Sequence, residues 1–302
     1  MKFGKLDKIE GIDFSMPPDP KATVKLFNSL AKREGKPSVF SGCTGWAMKE
    51  FVGNYYPSGT KSQDYLSAYA KQFNTIELNS TYYRIPDKKT IAKWVDQTPD
   101  TFRFAPKIPQ IISQNRELSL SEHFIEAFCE SVIRLGERLG TSFLQLPPNF
   151  SPGQINNLEN FLKRFPINDI PLSVELRNEN WFVSKDMEIL CELLNEYGAG
   201  TVMSDVAGRR DALHMYLSNG TAMIRFVGNE LHSSDFSRLD AWIDRLGIWF
   251  DQGLQTVYIF QHQEENLLAA EICAYFNKKV NEKLGISLSI PQKYDNLQLS
   301  LF

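Results

Sequence analysis

Seven titratable residues fall at or just beyond the ends of short apolar runs: Glu77 in "TIELNS", Lys107 in "FRFAPK", Glu175 and Arg177 in "LSVELR", Asp205 in "TVMSD", Arg225 in "AMIRF" and His262 in "TVYIFQH". Runs of this length and composition read as β-strands, in which residues two apart share a face. In "TIELNS", Ile76 and Leu78 oppose Glu77 and Asn79. In "LSVELR", Leu172, Val174 and Leu176 oppose Ser173, Glu175 and Arg177. In "FRFAPK", Phe102 and Phe104 oppose Arg103, Ala105 and Lys107. The polar faces thus gather the carboxylates Glu77, Glu175 and Asp205 against the cations Lys107, Arg177 and Arg225. Buried charges persist only when paired. The set is therefore either a network that neutralises itself or a site for a polar, charged substrate.

The residue types suggest several chemistries. Arg177 and Arg225 suit bidentate recognition of phosphate or carboxylate. Carboxylates in unlike surroundings divide acid and base roles, and Glu77 beside Asn79 with Glu175 beside Arg177 form such a pair. Lys107, after Pro106 in an aromatic strand, reads as a Schiff-base amine, an oxyanion clamp or a plain ion-pair partner. Glu77, Glu175 and Asp205 are the oxygen ligands that would hold one Mg²⁺ or Mn²⁺. The histidines His123, His214, His232 and His262 form no HxH or HExxH pair, which argues against a multinuclear zinc centre. His123 reads as helical, His214 and His232 as loop residues, and His262 as the best site candidate. Trp46, Phe51, Tyr55 and Tyr56 follow the first strand-like run, and Tyr82 and Tyr83 the second. Aromatics there either stack on a base or sugar or pack under the loops. No P-loop and no GxGxxG is present.

These residues need a scaffold that brings strand ends together. Eight strand-like segments alternate with amphipathic stretches: "SVFSGC", "TIELNS", "FRFAPK", "SFLQLP", "LSVELR", "TVMSD", "AMIRF" and "TVYIFQH". One helix is expected from Ser121 through Phe124, Phe128, Val132, Leu135 and Leu139 to Gly140, and another from Ser184, as N-cap, to Gly198. The alternation predicts an α/β protein with a single (β/α)8 TIM-like barrel; an open doubly wound sheet is the alternative. The expected organisation is an irregular N-terminal extension over 1–36, the barrel over 37–284 and a tail over 285–302. Barrel enzymes place their sites at the C-terminal strand ends, where the charged residues lie.

Composition narrows the classes further. The 302 residues are 42% hydrophobic and carry a net charge of −3, which excludes a disordered chain and a dedicated DNA-coating protein. Cys43, Cys129, Cys191 and Cys273 form no CxxC pair and read as reduced thiols. No secretory h-region is seen, nor a membrane-length apolar run. The expectation is a soluble cytoplasmic protein without a membrane partner.

The segments "GCTGWAMKEFVGNYYP" and "YLSAYAKQFNTIELNSTYYRIP", followed by "FRFAPK", "LGTSFLQLPPNF" and "ELRNENW", resemble the YecE-like family, domain-of-unknown-function family seventy-two. The resemblance runs from about Val39 to Phe276. It implies a TIM-like barrel similar to the xylose-isomerase and endonuclease-IV type, and no assigned activity. The family pattern covers Glu77, Asn79, Tyr82, Tyr83, Arg84, Lys107, Gln145, Pro147, Glu175, Arg177, Trp181, Asp205 and Arg225. The chain departs from it at Ile112-Ser113, where the family often has Thr-His. It departs again at Val227-Gly228 in place of His-Gly, and at Phe260-Gln261-His262 in place of Phe-Asn-Asn. Two missing histidines weaken any histidine base or metal ligand common to the family.

Gln298, Leu299, Ser300, Leu301 and Phe302 follow a polar stretch and resemble the pentapeptide by which bacterial replication and repair proteins dock on the DNA polymerase sliding clamp. Leu301 and Phe302 would fill an apolar pocket while Gln298 hydrogen-bonds. The alternative is that the apolar residues pack on the barrel. The combined expectation is an enzyme with hydrolytic or acid–base chemistry on a phosphate-bearing substrate, DNA or a nucleic-acid derivative, tethered to the clamp. Glu77, Glu175, Asp205 and Lys107 would be catalytic. Asn79, Tyr82, Arg177, Arg225, His262 and Trp46 would bind substrate. The alternatives are a non-catalytic nucleic-acid or protein binding module, and an isomerase or hydrolase acting on a sugar or sugar acid.

Overall fold

A computed structural model describes residues 4–31, 35–115, 117–118, 122–183 and 185–294. Ser121, Ser184 and the Gln298–Phe302 motif lie outside the described residues. All eight expected strands form: β1 (Ser38–Gly42), β2 (Thr75–Leu78), β3 (Arg103–Pro106), β4 (Ser142–Gln145), β5 (Leu172–Glu175), β6 (Gly200–Asp205), β7 (Thr221–Val227) and β8 (Thr256–His262). Every pairing is parallel. Six strands run in the order β1-β8-β7-β6-β5-β4, and β2 pairs with β3.

Isolated hydrogen bonds rather than ladders cross the two seams. Glu77 N–H donates to Cys43 O at 3.1 Å between β2 and β1. Gly140 N–H donates to Phe104 O at 2.8 Å, and Ile108 N–H to Phe143 O at 2.9 Å, between β3 and β4. The strands therefore follow one another in barrel order. Glycine marks each seam, because a Cβ on Gly42 would meet Thr75 O at 2.1 Å and one on Gly140 would meet Phe104 O at 2.9 Å.

The helices are α1 (Lys21–Ser29), α2 (Tyr65–Gln72), α3 (Lys88–Asp96), α4 (Glu122–Val132), α5 (Ile155–Arg164), α6 (Asp186–Tyr197), α7 (Ser233–Asp251) and α8 (Asn266–Leu284), besides short helical turns. Asp87 caps α3 by accepting from Thr90 N–H at 2.8 Å. Gly198 ends α6 in the left-handed region at φ 76°, as its sequence position suggests.

Three details differ from the sequence expectation. The leader is not wholly irregular, because α1 buries Thr23, Leu26 and Phe27. The helix expected to reach Leu139 stops at Val132 and tightens into a 3₁₀ segment, Ile133–Arg138. There Gly136 adopts φ 57°, which an α-helix does not accommodate, and Leu139 turns to bridge Phe104. Among the described residues no α-helix follows β6; a 3₁₀ turn, Arg210–Ala212, takes its place. The stretch after α8 is also bound to the barrel. Asn277 and Asn281 donate to Ser289 O and Leu288 O, and Tyr294 N–H donates to Asn54 O at 2.7 Å.

The alternation read from the sequence sets the core. Ile76, Leu78, Phe102, Phe104, Leu172 and Val174 pack outward against helices. Ala105, Phe143, Val202, Met223, Tyr258 and Phe260 plug the lumen. This plug excludes water below the strand ends, so charges above it sit on a low-dielectric floor. No helix among the described residues is long and apolar enough to cross a membrane.

Candidate active site

Above the plug, inward positions of β2, β5, β7 and β8 bring Glu77, Glu175, Arg225 and His262 together. Arg225, 2% exposed, holds both carboxylates. Its Nε and Nη2 donate to Glu77 Oε2 and Oε1, each at 2.8 Å, and its Nη1 donates to both Glu175 oxygens at 2.9 Å. Glu77 also accepts from Asn79 Nδ2 at 2.8 Å and His262 Nε2 at 3.0 Å. Glu175 also accepts from Ser204 Oγ and Gln145 Nε2, both at 2.7 Å, and pairs with Arg177 Nη2 at 2.7 Å. Each carboxylate is thus satisfied around both oxygens.

Burial alone would raise both carboxyl pKa values. For Glu77 the charge of Arg225, with hydrogen bonds from Arg225 and His262, outweighs it and holds the group well below the usual range. For Glu175 the guanidinium groups of Arg177 and Arg225 lead, and the group is lowered to about 2. Burial also works against the Arg225 cation, but Glu175 and Glu77 raise its pKa further. Burial keeps His262 below its ordinary value, against the charge of Glu77 and the hydrogen bond to it.

Lys107, just beyond β3, is 8% exposed and has a different environment. Among the described residues its one hydrogen-bond acceptor is the neutral Gln145 Oε1, at 3.0 Å. Its ammonium lies 4.3 Å from the centroid of the Tyr82 ring and 5.8 Å from that of Phe143. Burial first, and then the charge of Arg225, lower its pKa to about 8.

These groups floor a cleft of about 700 Å³, lined also by Thr44, Asn79, Tyr82, Tyr83, Gln114, Pro147, Pro148 and Arg177. Tyr82 and Tyr83 stand edge to face at 5.1 Å, and Tyr83 is 74% exposed at the mouth. The cations face the cleft, while Glu77 and Glu175 lie buried beneath.

Two expected members lie elsewhere. Asp205 points outward from β6 and is held by Arg238 Nη1 at 2.9 Å, Trp242 Nε1 at 2.8 Å, and Arg210. Ser204 takes the inward position instead, because alternation allows only one of the two inside. The oxygen set Glu77, Glu175 and Asp205 is therefore not assembled as a metal site. Among the described residues no group of three or more His, Cys, Asp or Glu is placed to hold a metal ion. Trp46 does not line the cleft; it packs edge-on against Trp94 at 5.6 Å and Phe104 at 6.5 Å.

The remaining histidines and aromatics serve local structure. His214 is half-buried, hydrogen-bonds Val202 O at 3.1 Å, and desolvation lowers it to about 4. His232 caps α7 through Ser234 N–H, and His123 is exposed on α4. Phe51, Tyr55 and Tyr56 are buried in loop packing. Gln145 belongs to the family pattern but receives no site role from the sequence, and Ser204 is not singled out there. Gln145 shares a face with Phe143 two positions earlier, which was the available signal, and Ser204 required the phase of β6.

Comparison with known proteins places this arrangement in context. The chain is 28% identical to the UPF0759 protein YecE of Escherichia coli K12 over 250 residues, covering 76% of this chain and 91% of that protein. It is 31% identical to the UPF0759 protein YunF of Bacillus subtilis 168 over 150 residues, 48% of this chain and 52% of that protein. The crystal structure of a DUF72 family protein from Enterococcus faecalis V583 superposes with a TM-score of 0.64 at 20% identity, covering 83% of this chain and 99% of that one. That likeness supports the fold. The family described as "Protein of unknown function DUF72" matches residues 40–294, including every member of the buried network and Lys107, and the chain therefore belongs to the DUF72 family.

Proposed function

We propose that the chain is an enzyme acting on a phosphate-bearing substrate, a nucleotide or nucleic-acid derivative, in the cleft at the C-terminal strand ends. The carrying observation is the vertical order of charge: Lys107, Arg177 and Arg225 line the cleft, and Glu77 and Glu175 lie buried below them. Low-dielectric walls focus such a potential on an entering anion. Arg177 is the group for the phosphate, since Arg225 already donates to two carboxylates. The Tyr82–Tyr83 pair offers a π-face to a base at the mouth. Lys107, lowered to about 8, can exchange a proton near neutral pH, so acid–base work is assigned to it.

Calorimetric titration of inorganic phosphate and a nucleoside monophosphate at low salt tests the reading. Arg177→Met should weaken phosphate binding about tenfold, or about 1.4 kcal/mol, with the far-ultraviolet circular dichroism unchanged. No binding by the native protein, or equal binding by the variant, would end it.

The saturation of Glu77 and Glu175 favours a second reading, a module that binds its anion without turning it over. A clamp tether through Gln298, Leu299, Leu301 and Phe302 is proposed from the sequence motif alone.

A further inference from the structure

We infer that Lys107 is a carbonyl-trapping amine, which narrows the substrate of the cleft to a phosphate-bearing aldehyde or ketone; this rests on the anion-binding reading above. The network holds two carboxylates, and Lys107 is paired with neither. Arg225 occupies Glu77 through Nε and Nη2 and Glu175 through Nη1. Arg177 adds a second cation to Glu175 at 2.7 Å. Gln145 stands between the lysine and that carboxylate. Its amide nitrogen donates to Glu175 Oε2 at 2.7 Å, which fixes its orientation because a carboxylate only accepts. Its carbonyl oxygen is thereby aimed at Lys107 Nζ, 3.0 Å away. A neutral acceptor positions the nitrogen without the full charge of a carboxylate to hold the proton.

The surroundings oppose one another. The faces of Tyr82 and Phe143 favour an ammonium. So do the charges of Glu175 and Glu77 at longer range, while burial, Arg225 and Arg177 disfavour it. Burial is the largest of these and the amine titrates near pH 8, so a share of it is neutral at physiological pH. The nitrogen lines the cleft of about 700 Å³, with Arg177 in the same wall for a phosphate.

The step balances without a second reactant. The amine lone pair attacks the carbonyl carbon, and the C=O π pair moves to oxygen, which is protonated to give a carbinolamine. Water leaves as the nitrogen lone pair forms C=N. Overall, ammonium and carbonyl give iminium and water, and the two hydrogens lost from nitrogen depart with the oxygen. Nothing is oxidised or reduced, and hydrolysis reverses the step.

Pyridoxal 5′-phosphate is a suitable probe because it carries both an aldehyde and a phosphate. The full chain is treated with it, reduced with borohydride and digested, and the modified lysines are located by mass. The expected result is preferential modification of Lys107, reduced by competing inorganic phosphate. Gln145→Glu supplies the missing counter-charge. If it raises the amine's pKa by one unit, trapping at pH 7 falls roughly tenfold and recovers at alkaline pH. Lys107→Met removes the label from that peptide, and phosphate titration of the native protein and of Arg177→Met reports on the anion site independently. Label confined to exposed lysines, with phosphate still bound, overturns the inference and leaves the anion-binding reading standing. Trapping indifferent to Gln145→Glu overturns the proposed role of the neutral amide. Lys107 labelled without phosphate binding upholds the amine and overturns the phosphate requirement.

Discussion

Arg225 binds Glu77 through two donors and Glu175 through a third, and that fork governs how the floor of the cleft titrates. An acid–base step at Glu175 would first require Arg225, Arg177, Gln145 and Ser204 to release its oxygens. The geometry gives this carboxylate the part of a fixed counterion. Its folded pKa, lowered to about 2, lies below the unfolded value of about 4.3. The stability it contributes is therefore present above the unfolded value and lost as pH falls from there towards 2. Glu175→Gln leaves two buried guanidinium groups facing an amide, which should cost about 3–5 kcal/mol at pH 7. Urea denaturation at pH 7 and pH 3 checks this. The difference from the native protein should shrink at pH 3, and a pH-independent difference would refute the counterion assignment.

At the scale of elements, the position of Glu77 depends on how closely β2 approaches β1. Gly42 permits that approach, since a Cβ there would lie 2.1 Å from Thr75 O, a backbone atom that no side-chain rotation can move aside. Gly42→Ala should cost about 3 kcal/mol or more by overpacking and should displace Glu77 from Arg225. Gly153→Ala is the control, because its nearest neighbour would be 3.9 Å away. Equal melting temperatures for the two variants would show that the seam tolerates separation. The strands that were legible in the sequence are those with a strong contrast between faces. Glu77, Lys107 and Glu175 each alternate with large apolar residues, so their inward direction could be read. β6 is buried on both faces, and Val202 and Met203 are both apolar, so its phase was hidden and Asp205 was assigned inward in place of Ser204. Trp46 was ambiguous for another reason: stacking on a ligand and packing in a core call for the same side chain. The 3₁₀ turn after β6 and the seam glycines depend on approaches between distant segments that no local pattern records.

For the whole molecule, a net charge of −3 opposes indiscriminate attraction to nucleic acid, while the cationic cleft is local. A protein of that kind gains little from long-range steering and much from being held near its substrate. The proposed clamp-docking segment would supply such tethering, and the structure sets its reach. Tyr294 is fixed to Asn54 at 2.7 Å, and three residues separate it from Gln298. At about 3.5 Å per residue the motif begins within about 14 Å of the barrel wall. So short a leash would hold the barrel against its docking partner rather than let it range, giving a high effective concentration over a narrow span. A variant lacking residues 298–302 should lose binding to a purified bacterial sliding clamp in surface plasmon resonance while keeping the native melting temperature. Inserting a flexible ten-residue Gly/Ser spacer after Tyr294 should preserve clamp affinity, because the anchors are unchanged. It should lower activity towards a substrate held at the clamp, because the effective concentration of the cleft there falls with leash length. No clamp binding by the intact chain would end the tether, and a lowered melting temperature in the truncated form would show instead that Leu299, Leu301 and Phe302 stabilise their own barrel.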